Sequence, residues 1–159
     1  MSLMLARIDY RLVHGQVVEA WIPHLKADNL IVANDDIEAD PVLRSVMEMA
    51  APVGVNVHFC RLTRLKTALD EADNAGKRSI LLVSNMSDAM KAKENGAGFK
   101  VLNIGNIHFE KDKVQITPSV FFSPDDFEAL KWFRSRGVTV LVKGTPFEAG
   151  VLFEAENGE

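Results

Sequence analysis

Cysteine is almost missing from this chain. Cys60 stands alone, so no intrachain disulfide can form and a reducing compartment, the cytoplasm, is the expected setting. Long apolar runs are missing too. No stretch approaches the roughly 20 residues that cross a bilayer, and no basic segment precedes a hydrophobic one at the start. A soluble, untargeted chain that docks on a membrane complex is still compatible with that pattern. Charge of one sign is not in excess either: 18 basic residues face 22 acidic ones, a formal charge of -4, which excludes attachment to nucleic acid or anionic lipid by bulk charge. Repeats, low-complexity tracts and Ser/Gly linkers are absent. What remains is 159 residues, 47% of them apolar, enough for one globular domain that buries about 70% of its unfolded surface. That domain is expected over residues 4–154, with residues 1–3 read as a cloning remnant and residues 155–159 as an acidic tail.

Six short runs rich in branched apolar residues read as strands: Met4 to Ile8, Asn29 to Ala33, Asn56 to Phe59, Ser79 to Val83, Lys100 to Ile104 and Thr139 to Val142. The first five start at intervals of about 25 residues, room for one helix and two loops, so parallel strands joined by crossovers are expected. Asp40-Pro41 opens a helix whose Val42, Leu43, Val46, Met49 and Ala50 share a face. Leu65, Ala68, Leu69 and Ala72 form a second stripe, and Met86 to Asn95 ends at Gly96. Ser123-Pro124-Asp125-Asp126 starts another helix, with Phe127, Leu130 and Phe133 on its buried side. Val17, Val18 and Trp21 suit a short first helix that Pro23 should stop near Ile22. Between Gly105 and Phe122 the alternation predicts extra edge strands or a hairpin. The simplest architecture is α/β: one open, mostly parallel twisted sheet with helices on both faces.

In such a sheet the loops that follow the strands gather along one edge, where ligands bind. Here those loops are Asp9 to Gly15, Asn34-Asp35-Asp36, Cys60-Arg61, Ser84-Asn85 and Gly105-Asn106. The first one concentrates reactive groups. A neutral imidazole at His14 is a nucleophile near neutral pH, and a phosphoryl group on it would lie beside helix N-terminal amides. Arg11 can clamp phosphoryl oxygens with its planar fork, Asp9 can orient Arg11 or the imidazole, and Gly15 and Gln16 can bring backbone close to the group. The same residues, taken singly, also fit a solvated histidine and a surface ion pair.

The run Ala6-Arg7-Ile8-Asp9-x-Arg11-Leu12-Val13-His14-Gly15-Gln16-Val17 resembles the signature of the EIIB subunits of the mannose/fructose/sorbose family of the bacterial phosphoenolpyruvate-dependent sugar phosphotransferase system. Trp21, Ile31-Val32-Ala33-Asn34-Asp35, Ala51-Pro52-x-Gly54-Val55 and Leu102-Asn103-Ile104-Gly105-Asn106 are similar to family patterns in the same order, out to about Pro146. The resemblance implies a seven-stranded sheet with one antiparallel edge strand. It also implies that His14 accepts a phosphoryl group, on Nδ1, from a phosphohistidine of EIIA and passes it to a sugar held by membrane-embedded EIIC and EIID. Arg11 is the matching phosphoryl clamp and Asp9 the matching orienting residue. Tyr10, where small or acidic residues are frequent, and Asn106, in place of a frequent glycine, depart from the common pattern.

Other candidates have plainer readings beside them. His24 and His58 lack a neighbour at metal-ligand spacing, and His108 lies in no motif. Asn34, Asp35 and Asp36 with Glu38 and Asp40 form an acidic cluster that either holds Mg2+ or, as preferred here, supplies a helix cap at Asp40 and loop supports at Asn34 and Asp35. Ser84 and Asn85 either donate to phosphoryl oxygens or simply start a helix. Transfer between histidines needs no metal or cofactor, and none is expected. Two rivals stand beside the phosphoryl carrier: a regulatory module that reports phosphate on His14 to a protein partner, and an aspartyl-phosphate receiver using Asp35 or Asp36. The sugar is not written in the pattern, and a homo-oligomer stays open.

Overall fold

The computed structural model describes residues 2–156. In chain order the strands are β1 (Leu3–Asp9), β2 (Asn29–Ala33), β3 (Asn56–Cys60), β4 (Ser79–Val83), β5 (Val101–Asn106), β6 (Val114–Thr117), β7 (Val120–Phe122), β8 (Thr139–Val142) and β9 (Val151–Phe153). The helices are α1 (Ile22–Leu25), α2 (Asp35–Glu38), α3 (Pro41–Ala50), α4 (Leu65–Asn74), α5 (Met86–Glu94) and α6 (Pro124–Ser135). Seven strands form one sheet in the order β3-β2-β4-β1-β5-β8-β9. Every pairing in it is parallel except β8 with β9. β6 and β7 form a separate antiparallel hairpin. All six strands read from the sequence are present, and the excursion before Phe122 is the hairpin.

β1 sits between β4 and β5, and the chain winds to one side of it through β2, β3 and β4 before crossing to β5 on the other. The C-terminal end of β1 is therefore a topological switch point, where crossovers part and leave a crevice. Central strands covered on both faces bury every residue, and β2 and β4 do so. One face packs Leu65, Ala68, Leu69, Ala72, Met86, Ala89, Ala92, Leu130 and Phe133 of α4, α5 and α6 on the sheet. The other packs Val17, Trp21, Ile22 and Met47.

Local signals account for most helix starts. The Asp40 carboxylate accepts from the Leu43 N–H ahead of α3, and Ser123 and Asp126 form a reciprocal capping box ahead of α6. Gly96, with φ +96, follows α5.

Two expectations need correction. Pro23 does not stop the first helix, which continues to Leu25. Val17–Trp21 is a wide π-type turn, closed by the Ile22 N–H on the Val17 carbonyl, so Pro23 enters in the first turn of α1, where its missing N–H costs little. The apolar face of α3 does not face the core: Val46 is 57% and Met49 85% exposed, and Met47 is the one buried residue of that helix. β9, antiparallel on β8, supplies the seventh strand and the antiparallel edge that the resemblance implies, from a segment in which no strand pattern was read. Leu3 belongs to β1, and the Ser2 backbone and hydroxyl bond Asp73 while its carbonyl accepts from Ser79. Of the acidic tail, Ala155 donates to Thr139 Oγ1 and Glu156 to the Arg134 carbonyl. Residues 157–159, like Met1, lie outside the described residues.

Candidate active site

The loop after β1 is shaped by its own backbone. The Leu12 N–H donates to the Asp9 carbonyl at 2.9 Å, and the Arg11 N–H donates to Asp9 Oδ1 at 3.0 Å. Leu12 adopts φ 56, a left-handed conformation that costs a non-glycine residue about 1–3 kcal/mol. Burial of Leu12 and Val13 offsets that strain, since both side chains are packed in the core. The reversal brings His14 back over the end of β1, and the His14 carbonyl accepts from the Val18 N–H as the helical run begins.

Asp9 is the hub. Its side chain is fully buried, and Oδ2 meets His14 Nε2 at 2.6 Å, Asn106 Nδ2 at 2.9 Å, and Arg7 Nη2 and Nε at 3.0 and 3.2 Å. Burial pushes the Asp9 pKa up, but the His14 hydrogen bond, the Arg7 charge, the Asn106 bond and the His14 charge together hold it below the ordinary carboxylate value. The carboxylate is therefore ionised near neutrality and can only accept. Nε2 of His14 is thus the donor in that contact, and in the neutral ring the lone pair is the one on Nδ1. The Gln16 backbone N–H faces Nδ1 at 3.4 Å, and His14 retains 12% side-chain exposure. A nucleophilic nitrogen held in one tautomer, with a backbone amide beside it and a route to solvent, is what this arrangement provides.

Arg7 lies beneath this pair, with none of its side chain exposed. Its remaining partners are Asn103 Oδ1 at 2.7 Å, the Gly144 carbonyl at 2.9 Å and Gln16 Oε1 at 2.6 Å. Trp21 packs against the guanidinium, 5.6 Å from its ring centroid, and donates its indole N–H to the same Gly144 carbonyl at 2.8 Å. Burial lowers the Arg7 pKa, while the charge and hydrogen bond of Asp9 raise it.

Asp9, His14 and Gln16 are brought together, although the Gln16 side chain turns inward to Arg7 and Asn106. Arg11 is exposed, and among the described residues only its backbone is bonded to this cluster. Gly15 is exposed, with no protein atom within 4 Å of where a Cβ would stand. Asn34 caps α2 and donates to Ser84 Oγ, Asp35 accepts from the Leu62 N–H, and Asn85 caps α5 through the Asp88 N–H. Their bonds hold loops together and none reaches Asp9 or His14. His108 pairs with Glu110 and packs edge-on against Tyr10, with centroids 5.1 Å apart. Cys60 is buried, and burial first, then Glu38 and Asp35, push its thiol up to about 11, so it stays protonated and unreactive near neutrality.

The residues that sequence reasoning passed over are Arg7, Trp21, Asn103, Asn106 and Gly144 as side-chain and carbonyl partners of the hub. A usable signal was present for two of them. Arg7 between Ala6 and Ile8, and Asn103 between Leu102 and Ile104, interrupt central strands whose two faces are covered, and a buried polar group there requires a partner.

A family model described as the PTS system sorbose subfamily IIB component matches residues 3–154. The chain belongs to that family. Against the fructose-specific EIIB component of Bacillus subtilis (strain 168), this IIB chain is 32% identical over 153 residues, covering 96% of itself and 94% of that protein. It is also 32% identical over 143 residues, 90% of its own length, to the mannose-specific EIIAB component of Escherichia coli (strain K12), but it spans only 44% of that longer relative. The crystal structure of the IIBSor domain of the sorbose permease from Klebsiella pneumoniae shares its fold with a TM-score of 0.86 and 30% identity, over 95% of this chain and 93% of that one. Among the described residues of the IIB chain, no helix is long and apolar enough to cross a membrane.

Proposed function

We propose that this IIB chain is a phosphoryl carrier in which His14 accepts a phosphoryl group from a phosphohistidine of EIIA and passes it to a sugar during uptake through membrane EIIC and EIID. The observation that carries this reading is the 2.6 Å contact of His14 Nε2 with buried Asp9, which leaves Nδ1 as the nucleophile. The Nδ1 lone pair forms the new N–P bond as the donor's N–P bond breaks and its electron pair returns to the donor ring. In the second transfer a sugar hydroxyl oxygen forms the P–O bond, the His14 N–P bond breaks with its electron pair returning to Nδ1, and the hydroxyl proton is released to water. The Asp9 carboxylate stabilises the imidazolium character that His14 gains in the first transfer and gives up in the second. The site lies at an open edge, so two partners can reach it in turn, and the chain works at the cytoplasmic face beside the permease. Catalysis is mainly positioning and charge stabilisation, with no metal in the steps.

The test is incubation with phosphoenolpyruvate, the two general phosphotransferase proteins and EIIA, followed by intact-mass measurement. A gain of one phosphate that requires EIIA and is discharged by membranes carrying EIIC and EIID, with sugar phosphate as product, is expected. Loading with no sugar phosphate formed would instead favour a regulatory module. Arg11, exposed beside the loop, is assigned the role of clamping phosphoryl oxygens as they transfer. An Arg11→Ala chain should keep its unfolding transition and load roughly 100-fold more slowly, the usual loss when one charge-stabilising donor is removed. Single-turnover loading at the wild-type rate would remove Arg11 from the mechanism.

A further inference from the structure

We propose that Arg7 is a positioning residue for His14: seated in the space left by Gly105, its guanidinium fixes the Asp9 carboxylate so that His14 keeps its proton on Nε2 and presents Nδ1. The inference rests on the phosphoryl-carrier reading for its consequence, though its geometry stands apart from it.

Three observations carry it. First, the five N–H donors of Arg7 are matched by five contacts: Nε and one Nη2 hydrogen on Asp9 Oδ2, the other on Gln16 Oε1, and the Nη1 pair on Asn103 Oδ1 and the Gly144 carbonyl. A guanidinium held on every donor by four chain segments has one orientation available, and Asp9 inherits it. Second, the seat is reserved for it. A Cβ on Gly105 would stand 2.1 Å from Arg7 Cζ and from Nη2, so no other residue type at position 105 leaves room for the guanidinium where it lies. Third, Oδ2 of Asp9 is the shared junction of Arg7 and His14. Remove the guanidinium and Asp9 becomes a buried carboxylate with no cation beneath it, held at Oδ2 by His14 and Asn106. The site then takes up one proton from solvent: either the carboxylate binds it and the ring shifts to its Nδ1–H form, accepting at Nε2, or the ring holds it as a second proton, and either state depletes the neutral Nε2–H ring that presents Nδ1. The other charged groups near the guanidinium are Arg11 on the same loop and Glu148 from the β8–β9 loop. Glu148 is bonded to the Gly144 and Thr145 backbone N–H groups rather than to Arg7.

The experiment labels the histidines with 15N and follows the ring nitrogens of His14 in the absence of any phosphoryl donor, for wild type, Arg7→Lys, Arg7→Met and Gly105→Ala, with His14→Gln assigning the signal. Wild type should show the Nε2–H tautomer. Its ratio to the other forms should fall about tenfold in Arg7→Met and in Gly105→Ala, which displaces the guanidinium without removing it. Arg7→Lys, which keeps the charge but not the fork, should fall between wild type and these two variants and is the variant best able to fold. In a loading assay the same order should appear, with Arg7→Met about 100-fold slower than wild type. A wild-type tautomer signature in every variant that retains cooperative unfolding overturns the proposal, and the same signature in Arg7→Lys alone overturns it if the others do not fold. Because the signature is read without phosphate, a wild-type chain that never loads sinks the carrier reading and leaves the assignment of Arg7 to be decided on the spectra.

Discussion

A His14→Gln chain is expected to take up no phosphate under conditions that fully load the wild type. Glutamine is the informative replacement because its amide N–H can still reach Asp9 Oδ2, where Nε2 of His14 stands at 2.6 Å. The carboxylate then keeps a donor, the loop keeps its reversal at Leu12, and thermal unfolding should stay close to that of the parent. What is lost is the lone pair on Nδ1, and an amide nitrogen, whose own pair is delocalised into the carbonyl, cannot replace it. Intact mass is the readout, with peptide mapping of the wild type to place the label. Persistent loading of the glutamine variant would mean that the phosphoryl group resides elsewhere in the chain.

Asp9→Asn carries the second-largest effect, and it acts on rate and stability together. The replacement is isosteric but cannot hold an Nε2 proton by charge, so loading should slow by roughly 10²- to 10⁴-fold, as expected when a buried carboxylate that orients a catalytic imidazole is neutralised. It also leaves Arg7 as a buried cation without its anion. Breaking such a pair costs about 3–5 kcal/mol, which urea unfolding near neutral pH would register. The pH dependence follows from the direction of the Asp9 shift. Its folded pKa lies below its unfolded one, so its stabilising contribution is complete above the ordinary carboxylate value of about 4 and is lost as pH falls through the lower folded value. The gap in stability between wild type and Asp9→Asn should therefore be widest near neutrality and close in acid. A gap of constant width would show that the charge of Asp9 is not what stabilises the fold.

What could be read from the sequence and what could not divide along a physical line. Asp9 and His14 were legible as a pair because both fall within one short loop, and local spacing sufficed to put them at the same sheet edge. Arg7 was passed over because a charged residue in an apolar strand run gives no sign of which distant segment satisfies it. Its partners Asn103 and Gly144 arrive from β5 and from the loop after β8, and only topology brings them there. Asn106, noted as a departure from a common glycine, turns out to bridge Asp9 and Gln16. The strands were legible because branched apolar runs of four to six residues have few alternatives, whereas β9 was too short to carry a pattern. Pro23 misled because the rule against proline presumes an unbroken α-helical ladder, and the wide turn before it had already shifted that ladder by one residue. The stripe on α3 shows that periodicity reports which residues share a face, not which way that face points.

The Gly144 carbonyl, gripped at once by Arg7 and Trp21, also sets an order of events during synthesis. Arg7 and Gly144 are 137 positions apart, so a chain emerging from the ribosome displays His14 long before the brace beneath it exists. Closure of so wide a span is slow compared with hairpin and helix formation. His14 is therefore made well before Gly144 and is among the last residues to be set in its final pose.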